Sequence, residues 1–199
     1  MTAPASPRPP PDIDLREPLL GLIERDATLH RFYTKKHDPI YFDRSRDGRF
    51  NSPDKGYGTM YVAETRAGAF AETFLRKPGR TLIPRDLLDA KGYVRFKLKR
   101  AIVLVKLAGR GLARIGATAE VSHRSQPYDV PQAWSKALYG HPLKPSGIAY
   151  TARHDDEAMC IALFERARVA LKEVERQTDL DQEWFWQLAD TYGIGMPPS

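Results

Sequence analysis

One cysteine, Cys160, is all the thiol this 199-residue chain carries, so no internal disulfide and no cysteine-built metal cluster can form. It lies in the apolar run MCIALF, which marks a buried, inert thiol and points, with the lack of disulfides, to a cytoplasmic protein. No apolar stretch approaches the ~18 residues that would cross a bilayer, so no membrane association is expected. The opening MTAPASPRPPPD has no apolar centre of a signal peptide. Residues 1–12 read as a disordered Pro-rich lead, and residues 13–199 as a single domain. The glycines never form GxGxxG after a strand, which excludes the usual dinucleotide-binding turn. The histidines, His30, His37, His123, His141 and His154, show no close ligand pairing, so no metal site is expected. Basic residues are in excess, with a net charge of +6, but they are dispersed. No nucleic-acid-binding motif is present, and the charge suits an anionic small molecule or an acidic partner instead.

Periodicity divides the chain into short elements. Ile13, Leu15, Leu19, Leu20 and Ile23 are spaced for a helix over residues 13–28, with Pro18 near its first turn. Leu29–Thr34 reads as a strand, followed by a long loop of the kind that compact domains keep for function. Thr59–Ala63 is a short buried strand. A helix follows, with Phe70 and Phe74 on one face, ended by Pro78-Gly79. Pro84 to Leu88 is a short helical turn. Tyr93–Leu98 and Ala101–Leu107 are strands, the second nearly all apolar and therefore central, with Lys99-Arg100 a turn or bulge between them. Residues 108–127 give little signal beyond loops. Val130–Tyr139 is a helix, with Trp134 and Leu138 four apart. Gly147–Arg153 and Met159–Phe164 are strands joined by a turn at His154-Asp155-Asp156-Glu157, and Val169–Val174 is a further strand. A last helix over Asp181–Tyr192 carries Trp184, Phe185 and Trp186 as core packing and ends at Gly193. Strands outnumber helices without alternating with them, which predicts a mixed, largely antiparallel α+β fold with flanking helices.

The stretch Tyr41–Phe74 concentrates the chemistry. Asp47-Gly48 and Ser52-Pro53-Asp54-Lys55-Gly56 are turn signals, Arg49 lies on the loop between them, and Glu72 is a lone acid among small and aromatic neighbours. These residues also resemble a known pattern. Gly48-Arg49-Phe50-Asn51, Tyr61-Val62-Ala63 and Ala71-Glu72, in that order, are similar to the signature of RES-domain proteins. The resemblance runs from about Leu29 to about Phe164. It takes in Arg31 of LHRFY, Trp134, and Gly147-Ile148-Ala149-Tyr150 leading to Ala162-Leu163-Phe164.

The resemblance implies an ADP-ribosyltransferase-like fold with a cleft between sheets, and a toxin of a toxin–antitoxin pair. Its substrate would be NAD⁺ and it would need no cofactor. Its partners would be an Xre-type helix-turn-helix antitoxin and a second copy of itself. Loss of neutral nicotinamide leaves an oxocarbenium-like ribose, which needs a nearby carboxylate; Glu72 is the candidate. Arg31 and Arg49 would pair with the pyrophosphate, Tyr61 would pack on or orient nicotinamide or ribose, and Asn51 would bond ribose or cap the loop. Arg153 and His154 are candidates for phosphate binding. The ADP-ribose acceptor, whether water, phosphate or a protein, stays open. The family's serine falls at Ala152, two residues after Tyr150, and Thr151 points to the other face of its strand. That departure carries an alternative: an impaired, RES-like module that binds a nucleotide or a partner.

Overall fold

The computed structural model describes residues 8–77 and 79–195. Residues 1–7 of the lead and Pro78 fall outside that span. Residues 8–12 lie against the domain, with Arg8 paired to Asp129 at 3.1 Å.

The strands are β1 (Leu20–Ile23), β2 (Thr28–Thr34), β3 (Thr59–Ala63), β4 (Lys91–Leu98), β5 (Ile102–Lys106), β6 (Gly147–Ala152), β7 (Asp155–Phe164) and β8 (Leu171–Gln177). The helices are α1 (Arg66–Phe74), α2 (Arg85–Asp89), α3 (Arg110–Ile115), α4 (Ala119–His123), α5 (Asp129–Gly140) and α6 (Glu183–Asp190). The strands form one eight-stranded sheet in the order β1-β5-β6-β7-β3-β2-β4-β8. All pairs are antiparallel except β5–β6. The mixed, largely antiparallel α+β class read from the sequence is therefore the one observed.

The helix expected over residues 13–28 is not formed. Ile13–Leu15 makes a single 3-10 turn, and the chain is extended at Arg16 (φ −83°, ψ 148°). Pro18 disfavours helix in the residue before it, and Leu19–Ile23, an apolar run too short to distinguish helix from strand by period, pairs with β5. The expected turn at His154–Glu157 is also tighter than read. Ala152 pairs with Asp155, so the turn is Arg153-His154, and Asp155–Glu157 belong to β7. β8 begins two residues later than expected and runs to Gln177, after a 3-10 segment over Glu165–Ala170. The poorly marked stretch 108–127 contains α3 and α4. β5 is interior but lies next to the edge strand rather than at the centre, and Lys99-Arg100 joins strands that do not pair.

That last connection fixes the shape. β4 and β5 stand five places apart in the sheet order, which is on the order of 24 Å in a flat sheet at ~4.8 Å per strand. The link between Leu98 and Ile102 reaches only ~14 Å. The sheet must therefore curl on itself. Inside the curl lies a core made almost wholly of strand residues, among them Leu29, Met60, Phe96, Leu104, Ile161 and Leu163. The outer face of the curl carries the helices, over a second core of Phe32, Phe70, Phe74, Trp134, Tyr150 and Phe185.

The curl also weakens one seam. β2 and β3 pair at a single position, His30 opposite Ala63. Beyond it they splay apart toward Thr34 and Thr59, dividing the sheet into β1-β5-β6-β7-β3 and β2-β4-β8. α1 lies beside this opening, started by Thr65, whose hydroxyl accepts from the Gly68 amide at 3.0 Å. Phe70 anchors it, fully buried with its ring 5.0 Å from Phe74, 5.4 Å from Tyr192 and 5.6 Å from Phe185. Replacing Phe70 with Ala is expected to cost about 3–5 kcal/mol in a urea-unfolding measurement, because α1, β2 and α6 all lose their shared filler.

Candidate active site

The split between β2 and β3 opens a cavity of about 650 Å³. Arg31, Phe32 and Thr34 wall it from β2, Thr59 and Tyr61 from β3, and Glu72 and Thr73 from α1. Tyr41, Asp43, Asp47 and Gly48 close it from the loop between β2 and β3. A smaller recess of about 70 Å³ adjoins it, lined by Arg49, Tyr128, Arg153 and His154. Tyr61, Glu72, Asp47, Gly48 and Arg76 line both, so Glu72 stands where the two spaces meet. Lys36, Arg76, Lys77, Arg80 and Lys91 give the cavity wall a cationic excess over Asp43, Asp47 and Glu72.

The loop from Lys35 to Gly58 has no regular element, yet it is tightly seated. Gln132 on α5 donates its side-chain amide to the carbonyls of Arg46 at 2.8 Å and Gly48 at 3.0 Å. Ser135, one turn on, donates to Phe50 O at 2.6 Å and shares a 2.7 Å hydrogen bond with the Tyr57 hydroxyl. Arg44 pairs with Glu165 at 2.6 Å, and Phe50 is fully buried with its ring 5.0 Å from Tyr150. Helix α5 thus holds the loop that presents Arg49.

Asn51 is buried and its amide is spent within the loop. It donates to Asp43 Oδ2 at 2.9 Å and Ser45 O at 3.0 Å, and accepts from the Tyr61 hydroxyl at 3.0 Å. Asn51 lines neither cavity, and its geometry is that of a loop clamp. Tyr61 also accepts from the Phe50 amide at 2.8 Å, so its hydroxyl is committed and its ring is what faces the cleft. Burial raises the Tyr61 hydroxyl well above its ordinary pKa, keeping it a neutral donor. Gly48 sits against this junction. A Cβ there would collide with Asn51 Oδ1 and come within 2.7 Å of the Tyr61 hydroxyl.

The two candidate arginines are poorly matched within the fold. Arg49 has Nε and Nη1 buried without a hydrogen-bond partner, and its guanidinium lies 5.8 Å from the centre of the Tyr150 ring. Arg31 Nε is buried and unpartnered, its Nη1 has a long 3.5 Å contact to Tyr41 O, and burial lowers its pKa to about 10. Buried cations without acceptors are costly unless an anion completes them. Arg31, Arg49, Tyr61, Glu72 and Arg153 are therefore brought to one connected space.

Tyr150 is the residue that the sequence reading did not assign. It is fully buried on β6, and its hydroxyl donates to Glu72 Oε2 at 3.1 Å, so it orients the carboxylate. Burial first, and then the Glu72 charge, push its pKa well up, which keeps the proton on the tyrosine. Its place in Gly147-Ile148-Ala149-Tyr150 was visible, but its partner comes from α1. Ala152, at the family's serine position, is fully buried. Thr151 does not replace that serine: its hydroxyl lies 3.4 Å from His123 Nε2, and it lines neither cavity. Arg153 and His154 are exposed at the mouth of the recess, and desolvation and the Arg153 and Arg49 charges lower the His154 pKa. Ser122 and His123 are bonded within α4, at 3.0 Å, and lie outside the cleft. Among the described residues no group of His, Cys, Asp and Glu is arranged to hold a metal. Trp184 and Trp186 pack on the core around buried Phe185, with Arg66 stacked 4.5 Å from the centre of the Trp184 ring.

Fold and site together define a class: a curled, split-sheet α+β domain whose cleft joins arginines with unpaired buried nitrogens to one oriented glutamate. The chain belongs to the RES domain family, which matches residues 27–187. A probable toxin of Sinorhizobium fredii, y4kH, is 32% identical over 71 residues, 36% of this chain and 54% of the relative. The matched part of the chain thus spans about half the length of that curated relative. The crystal structure of the Mycobacterium tuberculosis MbcT–MbcA toxin–antitoxin complex contains a chain of similar fold. The TM-score is 0.63 at 16% identity, over 82% of this chain and 87% of that one.

Two outcomes test the geometry. Tyr61→Phe strands the Phe50 amide, so unfolding free energy should fall by about 1–3 kcal/mol by chemical denaturation. His30, 2.7 Å from the Tyr93 hydroxyl, is held at about 4 by burial and then by Arg66 and Arg95, against 6.5 in the unfolded chain. Its contribution to stability is therefore full above pH 6.5 and is lost as pH falls toward 4. His30→Gln should flatten that part of the fall in melting temperature measured across the same range.

Proposed function

We propose that this chain is the toxin of a toxin–antitoxin pair and that it breaks the nicotinamide–ribose bond of NAD⁺. The observation that carries this reading is Glu72, oriented by Tyr150 at 3.1 Å, at the junction of a large cationic cavity and a small cationic recess. A dinucleotide needs a long cleft, positive donors for its phosphates, flat faces for its rings and one carboxylate at the reacting sugar. Arg31 and Arg49 offer the buried donors. Tyr41, stacked on His37 with ring centres 4.1 Å apart, offers a flat face at the cavity wall, and Tyr61 offers another near Glu72.

In this mechanism the bond from ribose C1′ to the nicotinamide nitrogen breaks, and its electron pair leaves with neutral nicotinamide. Positive charge gathers on the ribose ring, where the Glu72 carboxylate stabilises it. An oxygen of the acceptor then gives its electron pair to C1′, and a protonated acceptor sheds its proton. The recess beside Glu72, lined by Arg49, Arg153 and His154, has the charge to suit a small anionic acceptor such as phosphate. The partners of the reading are an Xre-type antitoxin that blocks the cleft, and the setting is the cytoplasm.

A second reading rests on Ala152, which is buried and leaves its strand position without a hydroxyl. It makes the chain a binding module that retains the nucleotide without turning it over. NAD⁺ consumption by purified protein, with and without phosphate, separates the two. The enzyme releases nicotinamide, and Glu72→Gln lowers the rate by about 10²–10³-fold while Tyr150 and the fold remain intact. Arg49→Ala should weaken NAD⁺ binding roughly 10–100-fold by calorimetry, the worth of a charge-assisted hydrogen bond. Binding with no nicotinamide release supports the module, and neither binding nor release sinks both readings.

A further inference from the structure

The large cavity is polarised. Two of its carboxylates, Asp47 and Glu72, line both the cavity and the recess, so they stand at the junction. The third, Asp43, has both oxygens taken within the loop. They accept from the Ser45 amide at 2.8 Å, the Ser45 hydroxyl at 2.7 Å and the Asn51 amide at 2.9 Å. Lys36, Lys77, Arg80 and Lys91 line the large cavity alone.

These cations converge from separate elements. Residues 69, 72, 73, 76 and 77 are spaced as one helical face, so the stripe that carries Glu72 runs on past the end of α1 into Arg76 and Lys77. Arg76 Nε donates to Glu72 O at 2.9 Å and Arg80 Nη1 to Phe74 O at 3.5 Å, contacts that cap the helix with one nitrogen of each guanidinium. Lys91, the first residue of β4, stands opposite Thr34 of β2 and donates to its hydroxyl at 2.7 Å. Lys36 lies two residues beyond Thr34. Lys91 is half-buried, and desolvation, followed by the Arg76, Arg31 and Lys36 charges, lowers its pKa. Among the described residues none of Lys36, Arg76, Lys77, Arg80 and Lys91 forms an ion pair with a carboxylate. A half-buried lysine crowded by like charges is costly unless an anion joins it.

We propose, on the reading of the cleft as a dinucleotide site, that Lys36, Lys91 and their neighbours form a subsite for a phosphate on the adenosine ribose, so that the cleft takes NADP⁺ in preference to NAD⁺. With the reacting ribose at Glu72, the flat face of Tyr41, stacked on His37, receives the adenine. Lys36 is the chain neighbour of His37, so an adenosine ribose beside that face meets Lys36 and Lys91. Sites that select NAD⁺ set an acidic residue to bond the free ribose hydroxyl, whereas a cation accommodates the 2′-phosphate. Here the cations are present, and Asp43, the carboxylate that lines this cavity alone, is committed to its loop. The pyrophosphate has Arg31 and Arg49. A further phosphate, with a charge of about −1.5 to −2 near neutral pH, is what the remaining cations match.

The test compares kcat/KM of the full chain for NADP⁺ and NAD⁺ and, apart from turnover, calorimetric binding of adenosine 2′,5′-bisphosphate and AMP. Wild type should favour NADP⁺, and the bisphosphate over AMP, by about 10–100-fold, the worth of a charge-assisted hydrogen bond. Lys91→Met, which keeps the apolar stem, should erase most of both preferences with circular dichroism unchanged. Lys36→Met, at an exposed position, should lower them in the same direction. Lys172→Met, which removes the same charge from β8 outside the cavity, should leave both in place. Equal kcat/KM for the two dinucleotides, or equal binding of the two fragments, overturns the proposal. So does a Lys91→Met variant that loses NAD⁺ and NADP⁺ turnover alike, because the cluster then holds the pyrophosphate. A preference for the bisphosphate without nicotinamide release from either dinucleotide keeps the subsite and sinks the catalytic reading. Nicotinamide release without that preference does the reverse.

Discussion

The single contact between β2 and β3 is the constraint from which the cleft follows. A full ladder there would bury the edges of both strands and close the space between them. Because only His30 and Ala63 meet, the outer ends of the strands part, and the side chains that follow open on a common cavity. Alternation along β2 points Arg31 toward the inside of the curl, while Tyr61 packs against the helical side. The split lets groups from opposite faces of one sheet reach the same space. The short link from Leu98 to Ile102, by forcing the curl, sets up this geometry from the far side of the molecule.

Electrostatics complete what the topology starts. The interior tolerates charge poorly, and arginines elsewhere have acidic partners, such as Arg44 with Glu165 or Arg85 with Asp181. Arg31 and Arg49 keep buried nitrogens without one. The loop that carries Arg49 is held by Gln132, Ser135 and buried Phe50, so the cation is presented by a rigid support rather than a mobile segment. Neutral Tyr150 fixes Glu72 from beneath, which spares the carboxylate a search for its geometry. Such preorganised charge is the arrangement that stabilises a developing cation.

Ala152 stands apart from the groups that line the cleft. The position is fully buried beside Asp155 at an irregular step in the β6–β7 ladder. Thr151, the nearest hydroxyl, is turned toward His123. The remaining groups, Arg31, Arg49, Tyr61 and Glu72, stay assembled without it, because none of them is held by residue 152.

What the sequence could determine by itself was local: strands with apolar alternation, the phenylalanine face of α1 and the turns around Gly48. These are legible because side-chain period and turn chemistry act over a few residues. The first segment was not, since its apolar run fits a helix and a strand equally until Pro18 and the open edge of β5 choose. α3 and α4 escaped for the same reason, being short and weakly patterned. Tertiary structure alone decided that β4 and β5 lie far apart in one curled sheet. It alone decided that Tyr150 holds Glu72 across 78 residues of chain, and that Asn51 spends its amide on the loop. Each of these is a contact between distant segments, and only the packing of the whole core sets which segments meet.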